Sequence, residues 1–273
     1  MKIRASEPQG MIRCNSVADS IVWMEEVFSS AERNDRILLP VQNAPEFKRG
    51  FFMPETVSKE SKYMLHAITL AKNGEGRTNP NPLVGAVLVK NNEIIGEGFH
   101  QKYGGLHAER EALKNCEENG NSAEGATLYV TLEPCCHFGK QPPCTQAIVK
   151  SGIRRVVVGS RDPNPLVHGK GNSFLREHGI EVTEDFLKDE CDALNPIFFH
   201  YISTRTPYVA LKYAMTADGK TASKTGKSKW ITGEKSRLFV HQLRNRYSCI
   251  LAGIGTVLAD NPLLTSRIPG GRN

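Results

Sequence analysis

The pattern of apolar and polar positions becomes regular from residue 59 onward. Between residues 59 and 74, apolar side chains recur at the spacing of one helix face, and an Asn-Gly pair ends the pattern. Two apolar runs, 84–89 and 93–98, flank an Asn-Asn pair that is typical of a tight turn. These segments predict a helix followed by a β-hairpin.

Helices and strands then alternate along the chain. We expect helices at residues 107–116, 145–151 and near 173–178, and strands at 126–132, 155–159 and near 180–183. Parallel strands that are connected through helices require right-handed crossovers, which place helices on the faces of the sheet. The sequence therefore predicts an α/β fold with a mixed sheet and helices on both faces.

Changes in composition divide the chain into regions. The apolar residues of 21–31 can form one face of a short helix, but the surrounding segment shows no candidate chemistry. A connecting helix is predicted over 187–201, the polar segment 203–207 is a natural boundary, and 208–213 predicts a new strand. The resulting regions are an unassigned N-terminal extension (1–58), a first domain (59–204) and a second domain (205–273).

The positive charge of the chain is concentrated at its C-terminal end. The net charge is +6 over 273 residues, and residues 205–273 hold 12 basic but only 3 acidic side chains. No helix-turn-helix or aromatic RNA-binding consensus accompanies this excess, which favours phosphates on small ligands over nucleic acid. No run approaches the roughly 20 apolar residues that span a bilayer, and the first 30 residues do not resemble a signal peptide. We expect a cytoplasmic homo-oligomer without nucleic-acid or membrane partners.

Two short motifs carry the candidate chemistry. His107 and Glu109 belong to a His-Ala-Glu motif that opens a predicted helix, and the segment 134–144 leaves a predicted strand and enters the next helix. Both helix starts can meet beyond the carboxyl end of that strand, where the helix dipole favours a thiolate at Cys144. His107, Cys135 and Cys144 suit Zn²⁺ and leave its fourth position for water. With Glu109 to move protons, this is the signature of zinc nucleobase deaminases.

The residues alone leave other interpretations open. Three of the seven cysteines lie within ten residues, and Cys136 and His137 offer additional ligands for a closed structural zinc site. His107 and Glu109 can also be ordinary residues of a helix start, where an acidic side chain is favourable. A closed site does not explain the glutamate beside the histidine, so the catalytic interpretation is favoured.

Residues 63–165 resemble the deaminase half of the bifunctional riboflavin-biosynthesis deaminase/reductase family. The resemblance rests on four segments in the same order: NPNPLVGAVLV at 79–89, GEGFHQKYGGLHAE at 96–109, YVTLEPCCHFGKQPPC at 129–144 and DPNP at 162–165. It implies a cytidine-deaminase-like three-layer α/β/α fold with a mixed sheet. It also implies hydrolysis of 2,5-diamino-6-ribosylamino-4(3H)-pyrimidinone 5′-phosphate to 5-amino-6-(5-phosphoribosylamino)uracil and ammonia.

The same resemblance implies residue roles in the first domain. The family's zinc ligands match His107, Cys135 and Cys144, and its proton shuttle matches Glu109. Asn81 and His100 match positions that contact the pyrimidine or ribose, and Lys140 matches a contact to the substrate phosphate. From the residue types alone, Asn81 can equally be a turn residue and Lys140 a solvated charge. Cys136 stands where the family usually has serine, and Arg110 follows the motif where valine or another residue is common; neither change removes a required group.

Residues 207–267 resemble the start of the family's reductase domain, which is dihydrofolate-reductase-like and uses NADPH. The matching segments are PYVALKYAMTADGKTA at 207–222, SKWITG at 228–233 and HQLRNRYSCILAGIGTVLADNPLLTSR at 241–267. The resemblance implies cofactor contacts at Ala214, Trp230, Thr256 and Asp260, and substrate contacts at Ser228, Arg244, Leu264 and Arg267. From its residue type alone, Trp230 can equally be a core aromatic. Only about 65 residues of a domain that needs roughly 150–200 are present, so we expect the N-terminal part of this α/β domain and no reductase activity.

Two other functions are compatible with the zinc motif. One is a deaminase that acts on a free nucleoside or a tRNA base, and the other is a zinc-stabilised binding module without catalysis. The eight residues between Cys135 and Cys144 argue against the first, because those deaminases usually carry Pro-Cys-x-x-Cys. The presence of Glu109 argues against the second.

Overall fold

The structure is a computed structural model that describes residues 58–164 and 167–271, together with the backbone of residues 21–22. The helices are α1 (Lys59–Lys72), α2 (Ala108–Glu118), α3 (Cys144–Lys150), α4 (Lys170–Glu177), α5 (Lys188–Asp192), α6 (Pro196–Thr204), α7 (Glu234–Arg246) and α8 (Ile254–Asp260). The strands are β1 (Ile21–Val22), β2 (Gly85–Lys90), β3 (Glu93–Phe99), β4 (Thr127–Leu132), β5 (Arg155–Ser160), β6 (Glu181–Thr183) and β7 (Ile250–Leu251).

Five strands form the central sheet in the order β3-β2-β4-β5-β6. The hairpin β2–β3 is antiparallel, and β2 also pairs antiparallel with β4, whereas β4, β5 and β6 run parallel. The parallel strands are linked through α3 and α4, as right-handed crossovers require. The mixed sheet predicted from the sequence is therefore confirmed.

Each central strand is buried on both faces, which produces three layers. Alternate residues of a strand point to opposite faces, and the two sets belong to two separate clusters of buried side chains. One cluster packs Leu88 and Val130 of the sheet against α2, α3 and α4. The other packs Val87 and Tyr129 against α1 and α5. The three-layer α/β/α architecture follows from this two-sided burial.

Glycines allow two helices to lie directly on the hairpin strands. A Cβ atom on Gly85 of β2 would lie 1.9 Å from the carbonyl oxygen of Ala67 in α1. A Cβ atom on Gly98 of β3 would lie 2.4 Å from the backbone nitrogen of Ala112 in α2. Since no side chain fits in either gap, these two glycines set the height of α1 and α2 above the sheet.

At residues 187–201 the sequence predicted a single connecting helix, and this prediction is wrong. The segment forms two short helices, α5 and α6, separated at residues 193–195. Pro196 is the first residue of α6, and proline cannot lie inside a helix because it lacks the N–H and clashes with the preceding turn. The Asn195 side chain also bonds the N–H and C=O of Leu83, at 2.7 and 2.8 Å, which fixes the break against the loop before β2.

The predicted strand at 208–213 is also absent. A strand needs a neighbour that satisfies its backbone N–H and C=O groups, and no described segment pairs with these residues. Their apolar side chains are exposed, including Leu211 at 62 %. The helix expected at 21–31 lies outside the described residues except for Ile21–Val22, which form β1 beside β7.

The region from 205 to 271 contains α7, β7 and α8 without a hydrophobic core of its own. Among its described residues, only Ser266 is buried. In the part of the chain that the structure describes, no helix has the length and apolar character needed to cross a bilayer.

The close contact at Gly85 makes this glycine a sensitive position. Replacing Gly85 by alanine forces the new methyl group against the Ala67 carbonyl, so we expect the free energy of unfolding to fall by at least about 2 kcal/mol in urea denaturation. The matched control is Gly255→Ala in α8, where a Cβ atom meets nothing within 4 Å. Because alanine is the better helix former, the control is expected to be neutral or slightly stabilising. Equal losses in both variants would contradict the packing argument.

Candidate active site

Three chain segments bring the candidate metal ligands to one point at the carboxyl end of β4. His107 is the residue immediately before α2, and its extended backbone places the side chain at that helix start. Cys135 follows the end of β4 by three residues, and Cys144 is the first residue of α3. This is the edge of an open α/β sheet at which binding sites form, because strand ends and helix starts meet there.

The three side chains lie close enough to share one metal ion. The Nδ1 atom of His107 lies 3.5 Å from the Cys135 sulfur and 3.4 Å from the Cys144 sulfur. All three ligand atoms lie within 4.8 Å of one another, and neither Cys136 nor His137 belongs to the group. One imidazole nitrogen and two sulfurs fit tetrahedral Zn²⁺ and leave its fourth position to a ligand from outside the protein.

The two candidate sulfur ligands contact each other at the start of α3. The backbone N–H of Cys144 donates to the sulfur of Cys135 at 3.4 Å. The Cys144 thiol and His107 also bond that sulfur, and together these contacts hold the pKa of Cys135 well below its usual range. The amide at the helix start therefore favours the thiolate form of Cys135, which is the form that binds zinc.

Glu109 lies on the second position of α2 and faces the same cluster. Its side chain is almost completely buried, with 3 % of the residue exposed. Burial and the negative charge of Cys135 raise the pKa of Glu109 to about 6, although His107 opposes the shift. A carboxyl group with a pKa near neutrality can both accept and release a proton, as general acid–base catalysis requires.

The cluster opens into a pocket of about 280 Å³. The pocket is lined by His107, Glu109 and Cys135 and also by Asn81, His100 and Lys140. The structure thus brings all three predicted substrate contacts of the first domain to the candidate metal site. A concave site with a few convergent polar groups is the usual form of a small-molecule pocket.

Asn81 and His100 form a connected pair on one wall of the pocket. The Nδ2 atom of Asn81 lies 3.1 Å from Nε2 of His100, and Nδ1 of His100 lies 2.8 Å from the carbonyl oxygen of Leu106. The carbonyl needs a donor, so Nδ1 carries the proton and Nε2 accepts from the amide. Burial lowers the pKa of His100, which favours this neutral ring. The amide oxygen of Asn81 thereby keeps a defined orientation.

Two loops meet at the mouth of the pocket. The Nζ atom of Lys140 lies 3.9 Å from the centre of the Tyr103 ring, at cation–π distance. The next side chain along, Gln141, donates to the carbonyl oxygen of Gly104 at 3.1 Å. These contacts tie the loop before α2 to the loop between β4 and α3. Lys140 is exposed and lines the pocket beside Tyr103.

Sequence reasoning missed several residues of this pocket. Asp162 and Asn164 line it from the loop after β5, and Phe198 lines it from α6. The first two lie in the DPNP segment, which carried the resemblance but received no role. Phe198 had no signal in the sequence, because it reaches the pocket from a helix in which no candidate residue was expected.

The predicted ligand contacts of the C-terminal region are only partly gathered. Arg244 donates to the carbonyl oxygen of Thr265 at 3.2 Å, and Arg267 donates to the hydroxyl of the same residue at 3.1 Å. Leu264 is the residue before Thr265 in the chain. Ser228 and Trp230 are exposed, and Trp230 lies under Arg237 with 4.5 Å between guanidinium and ring. Ala214 lies in an irregular segment, whereas Thr256 and Asp260 lie on α8.

The buried Asp162 gives the site a measurable pH signature. Burial raises the pKa of Asp162 from 3.8 to about 6. The folded protein therefore holds this proton more tightly than the unfolded chain, and stability is lost as the pH rises from about 4 to 6. We expect Asp162→Asn, which keeps an acceptor for the Asn164 N–H, to raise the free energy of unfolding at pH 7 by about 1–3 kcal/mol.

The gain in the Asp162→Asn variant is expected to disappear near pH 3, below the ordinary pKa of 3.8, where the carboxyl is mostly protonated in both states. Urea denaturation at pH 3 and pH 7 measures the difference. The control is Asp189→Asn in the first turn of α5, which removes an exposed carboxylate from a helix start and is not expected to stabilise at either pH. A gain that is independent of pH would contradict the assignment of the effect to ionisation.

Comparison with known proteins bears on this site directly. The family model described as "Cytidine and deoxycytidylate deaminase zinc-binding region" matches residues 57–160, which include the whole candidate metal cluster. A second model, the "RibD C-terminal domain", matches residues 207–273. The two matches follow one another in the order in which the sequence resemblance places the deaminase and the reductase.

Curated relatives and solved structures carry both regions. The chain is 60 % identical over 210 residues to the riboflavin biosynthesis protein RibD of Actinobacillus pleuropneumoniae, a match that covers 77 % of this chain and 55 % of that protein. The corresponding protein of Bacillus amyloliquefaciens is 54 % identical, with 77 % and 56 % covered.

A crystal structure from Thermotoga maritima, described as a diaminohydroxyphosphoribosylaminopyrimidine deaminase/5-amino-6-(5-phosphoribosylamino)uracil reductase, superposes with a TM-score of 0.76 at 54 % identity. That match covers 79 % of this chain and 61 % of the other. The chain thus spans about half the length of the curated relatives that it matches. With the deaminase segments, the fold and both domain models in agreement, the chain is similar to the deaminase part and to the start of the reductase part of the bifunctional riboflavin-biosynthesis deaminase/reductases.

Proposed function

We propose that this chain is a zinc-dependent hydrolytic deaminase of riboflavin biosynthesis. Its substrate is 2,5-diamino-6-ribosylamino-4(3H)-pyrimidinone 5′-phosphate, and its products are 5-amino-6-(5-phosphoribosylamino)uracil and ammonia. The observation that carries the proposal is the convergence of His107, Cys135 and Cys144 at the base of a pocket that also contains the buried Glu109. A structural zinc site has no use for a buried acid beside the metal ligands.

The metal ligands and Glu109 divide the chemistry between them. His107, Cys135 and Cys144 would hold Zn²⁺, whose Lewis acidity makes a water nucleophilic at neutral pH. Glu109 takes one proton from the attacking water and gives it to the pyrimidine ring nitrogen. It then takes the second proton from the new hydroxyl, as this becomes the oxo group, and gives it to the departing amine. Its burial and raised pKa support this role, because the carboxyl group must exchange a proton twice in each turnover.

The pocket walls support recognition of a phosphorylated pyrimidine ribonucleotide. Asn81 has its amide orientation fixed by His100, so its oxygen can accept from an exocyclic amine or a ribose hydroxyl. Lys140 at the entrance carries a positive charge for the 5′-phosphate, and its stacking on Tyr103 keeps it there. This polarity, with the base inside and the phosphate outside, places the exocyclic amine at the metal end of the pocket.

The proposal also includes the domain organisation, cellular location and assembly of the protein. The division into 1–58, 59–204 and 205–273 remains our prediction of domain organisation. A cytoplasmic location is the one that we expect, and the buried free thiols of Cys116 and Cys191 are compatible with it. A homo-oligomer without a nucleic-acid partner is the assembly that we expect.

NADPH is the cofactor that we propose for the reductase step of the family. Arg244 and Arg267, which converge on Thr265, support a phosphate-binding contribution from residues 205–271. Trp230 and Asp260, two of the proposed cofactor contacts, are exposed on separate segments.

The principal test replaces Glu109 by glutamine. We expect ammonia release from the pyrimidine substrate to fall by about 10²- to 10⁴-fold, because the amide cannot transfer protons, while bound zinc stays at the wild-type level. Cys144→Ser is expected to lose both zinc and activity, and chelation of the wild-type protein should abolish turnover reversibly. Ammonia release is followed by a coupled assay and zinc by metal analysis of the purified protein.

The matched control is Glu111→Gln, a neighbouring acid on the same turn of α2 that does not line the pocket. It should retain wild-type turnover. Ammonia release from cytidine or an adenosine-containing tRNA, but not from the riboflavin precursor, would show that the proposed substrate is wrong. If zinc-loaded protein releases ammonia from none of these substrates, the enzyme proposal is overturned in favour of a zinc-stabilised binding module.

The reductase step is tested separately. We expect no oxidation of NADPH when the chain is supplied with the deaminated product, because Ser266 is the only buried residue among the described residues 205–271, which leaves the proposed cofactor contacts without an enclosed site. Absorbance at the nicotinamide band measures the reaction. NADPH consumption that depends on the deaminated product would overturn this expectation, and its loss in Arg267→Ala would assign the activity to these residues.

A further inference from the structure

Glu133 is a buried acid outside the proposed chemistry, and its carboxylate is surrounded by backbone amides. It follows β4 directly, continues the pairing with β5 through its N–H to the carbonyl of Ser160, and is 4 % exposed. One carboxylate oxygen accepts from the N–H of Asp162 at 3.3 Å and of Gly169 at 3.1 Å. The other accepts from Gly171 at 3.1 Å and Asn172 at 3.4 Å. Among the described residues, no lysine, arginine or histidine is hydrogen-bonded to this carboxylate, so its four hydrogen-bond donors are backbone amides.

These four donors belong to two parts of the chain that the carboxylate joins. Gly169, Gly171 and Asn172 form the N-terminal cap and first turn of α4, where unpaired N–H groups and the helix dipole favour an anion. Gly171 lies so close that a Cβ atom on it would be 2.1 Å from the carbonyl oxygen of Pro134. The start of α4 is therefore seated directly on the strand extension that leads to Cys135.

The remaining donor connects this anchor to the substrate pocket. Asp162 is bonded through its own N–H to Glu133, and its side chain accepts from the N–H of Asn164 at 2.8 Å. The carbonyl of Asp162 also lies 2.9 Å from Nδ1 of His168. Asp162 and Asn164 line the pocket. The positions of both side chains thus depend on a turn that Glu133 holds against the end of β4.

We propose that Glu133 is a positioning residue that sets substrate affinity by holding the turn with Asp162 and Asn164 against the pocket. This inference rests on the proposed deaminase function but concerns the part of the pocket lined by Asp162 and Asn164, not the metal ligands or Glu109. Glutamate is required because only a carboxylate offers acceptors on both oxygens; an amide would turn an NH₂ group toward two of the four N–H donors.

The test is Glu133→Gln in the full chain. We expect KM for the pyrimidine substrate to rise at least tenfold while kcat changes less than threefold and zinc content is unchanged. Hydrogen exchange at the amides of Asp162, Gly169, Gly171 and Asn172 should accelerate at least tenfold. The matched control, Glu60→Gln, removes an acid that pairs with Arg155 at the opposite end of β5. It should leave KM and these four amides unchanged.

A double-mutant cycle separates positioning from a general loss of stability. If Glu133 acts by placing Asn164, then Asn164→Ala should raise KM in the wild-type background but add less than twofold in the Glu133→Gln background. Independent, multiplicative effects on KM would overturn the proposal. So would a fall in kcat or in zinc content without a change in KM, because Glu133 would then support Cys135 instead.

Two further outcomes are distinguishable. If Glu133→Gln does not fold, Gly169→Ala tests the same anchor without touching β4, since its Cβ atom meets nothing within 4 Å but its left-handed backbone, φ +72°, is unfavourable for alanine. A KM rise with normal zinc supports the proposal, and an unchanged KM overturns it. If the wild-type protein releases no ammonia, the deaminase proposal fails, whereas the exchange measurement still decides whether the carboxylate holds these amides.

Discussion

The active-site region depends on one constraint: the carboxyl end of β4 and the starts of α2 and α3 must meet at the same edge of the sheet. β4 is fixed there because its side chains are buried on both faces and it pairs with β2 and β5. The chain leaving it supplies Cys135, and the helix to which it leads begins at Cys144. The pocket, the ligand cluster and the buried acids all lie at this junction.

The same constraint explains how α2 delivers His107. The helix cannot slide along the hairpin, because the backbone at Gly98 touches Ala112 with no space for a side chain. Its start is therefore held near the end of β4. His107 precedes the helix with an extended backbone, which lets its side chain line the same pocket as Glu109 from the first turn.

The secondary structure of residues 59–204 was predictable because its apolar residues recur at the spacing of a helix face or form short strand-like runs, and these residues become buried. Apolar runs such as 84–89 and 155–159 had to become buried strands, and the His-Ala-Glu and Pro-Cys segments had to lie at their ends. The local sequence pattern does not reveal which distant elements line a site, so Phe198 was missed. The break before α6 was also missed, although Pro196 was a visible signal for it. The strand expected at 208–213 is absent for the converse reason: propensity forms no strand without a partner, and no described segment supplies one.

Three acids at this edge are buried, and their different surroundings separate their roles. Glu133 accepts four backbone N–H groups, so its charge is compensated in place and it is suited to hold structure. Asp162 accepts one N–H, and burial raises its pKa to about 6. Glu109 lies beside the Cys135 thiolate, which adds to burial in raising its pKa to about 6. The four amides thus make Glu133 suited to anchor the start of α4, while the position of Glu109 beside the metal-ligand cluster suits it to the proton transfer that we propose.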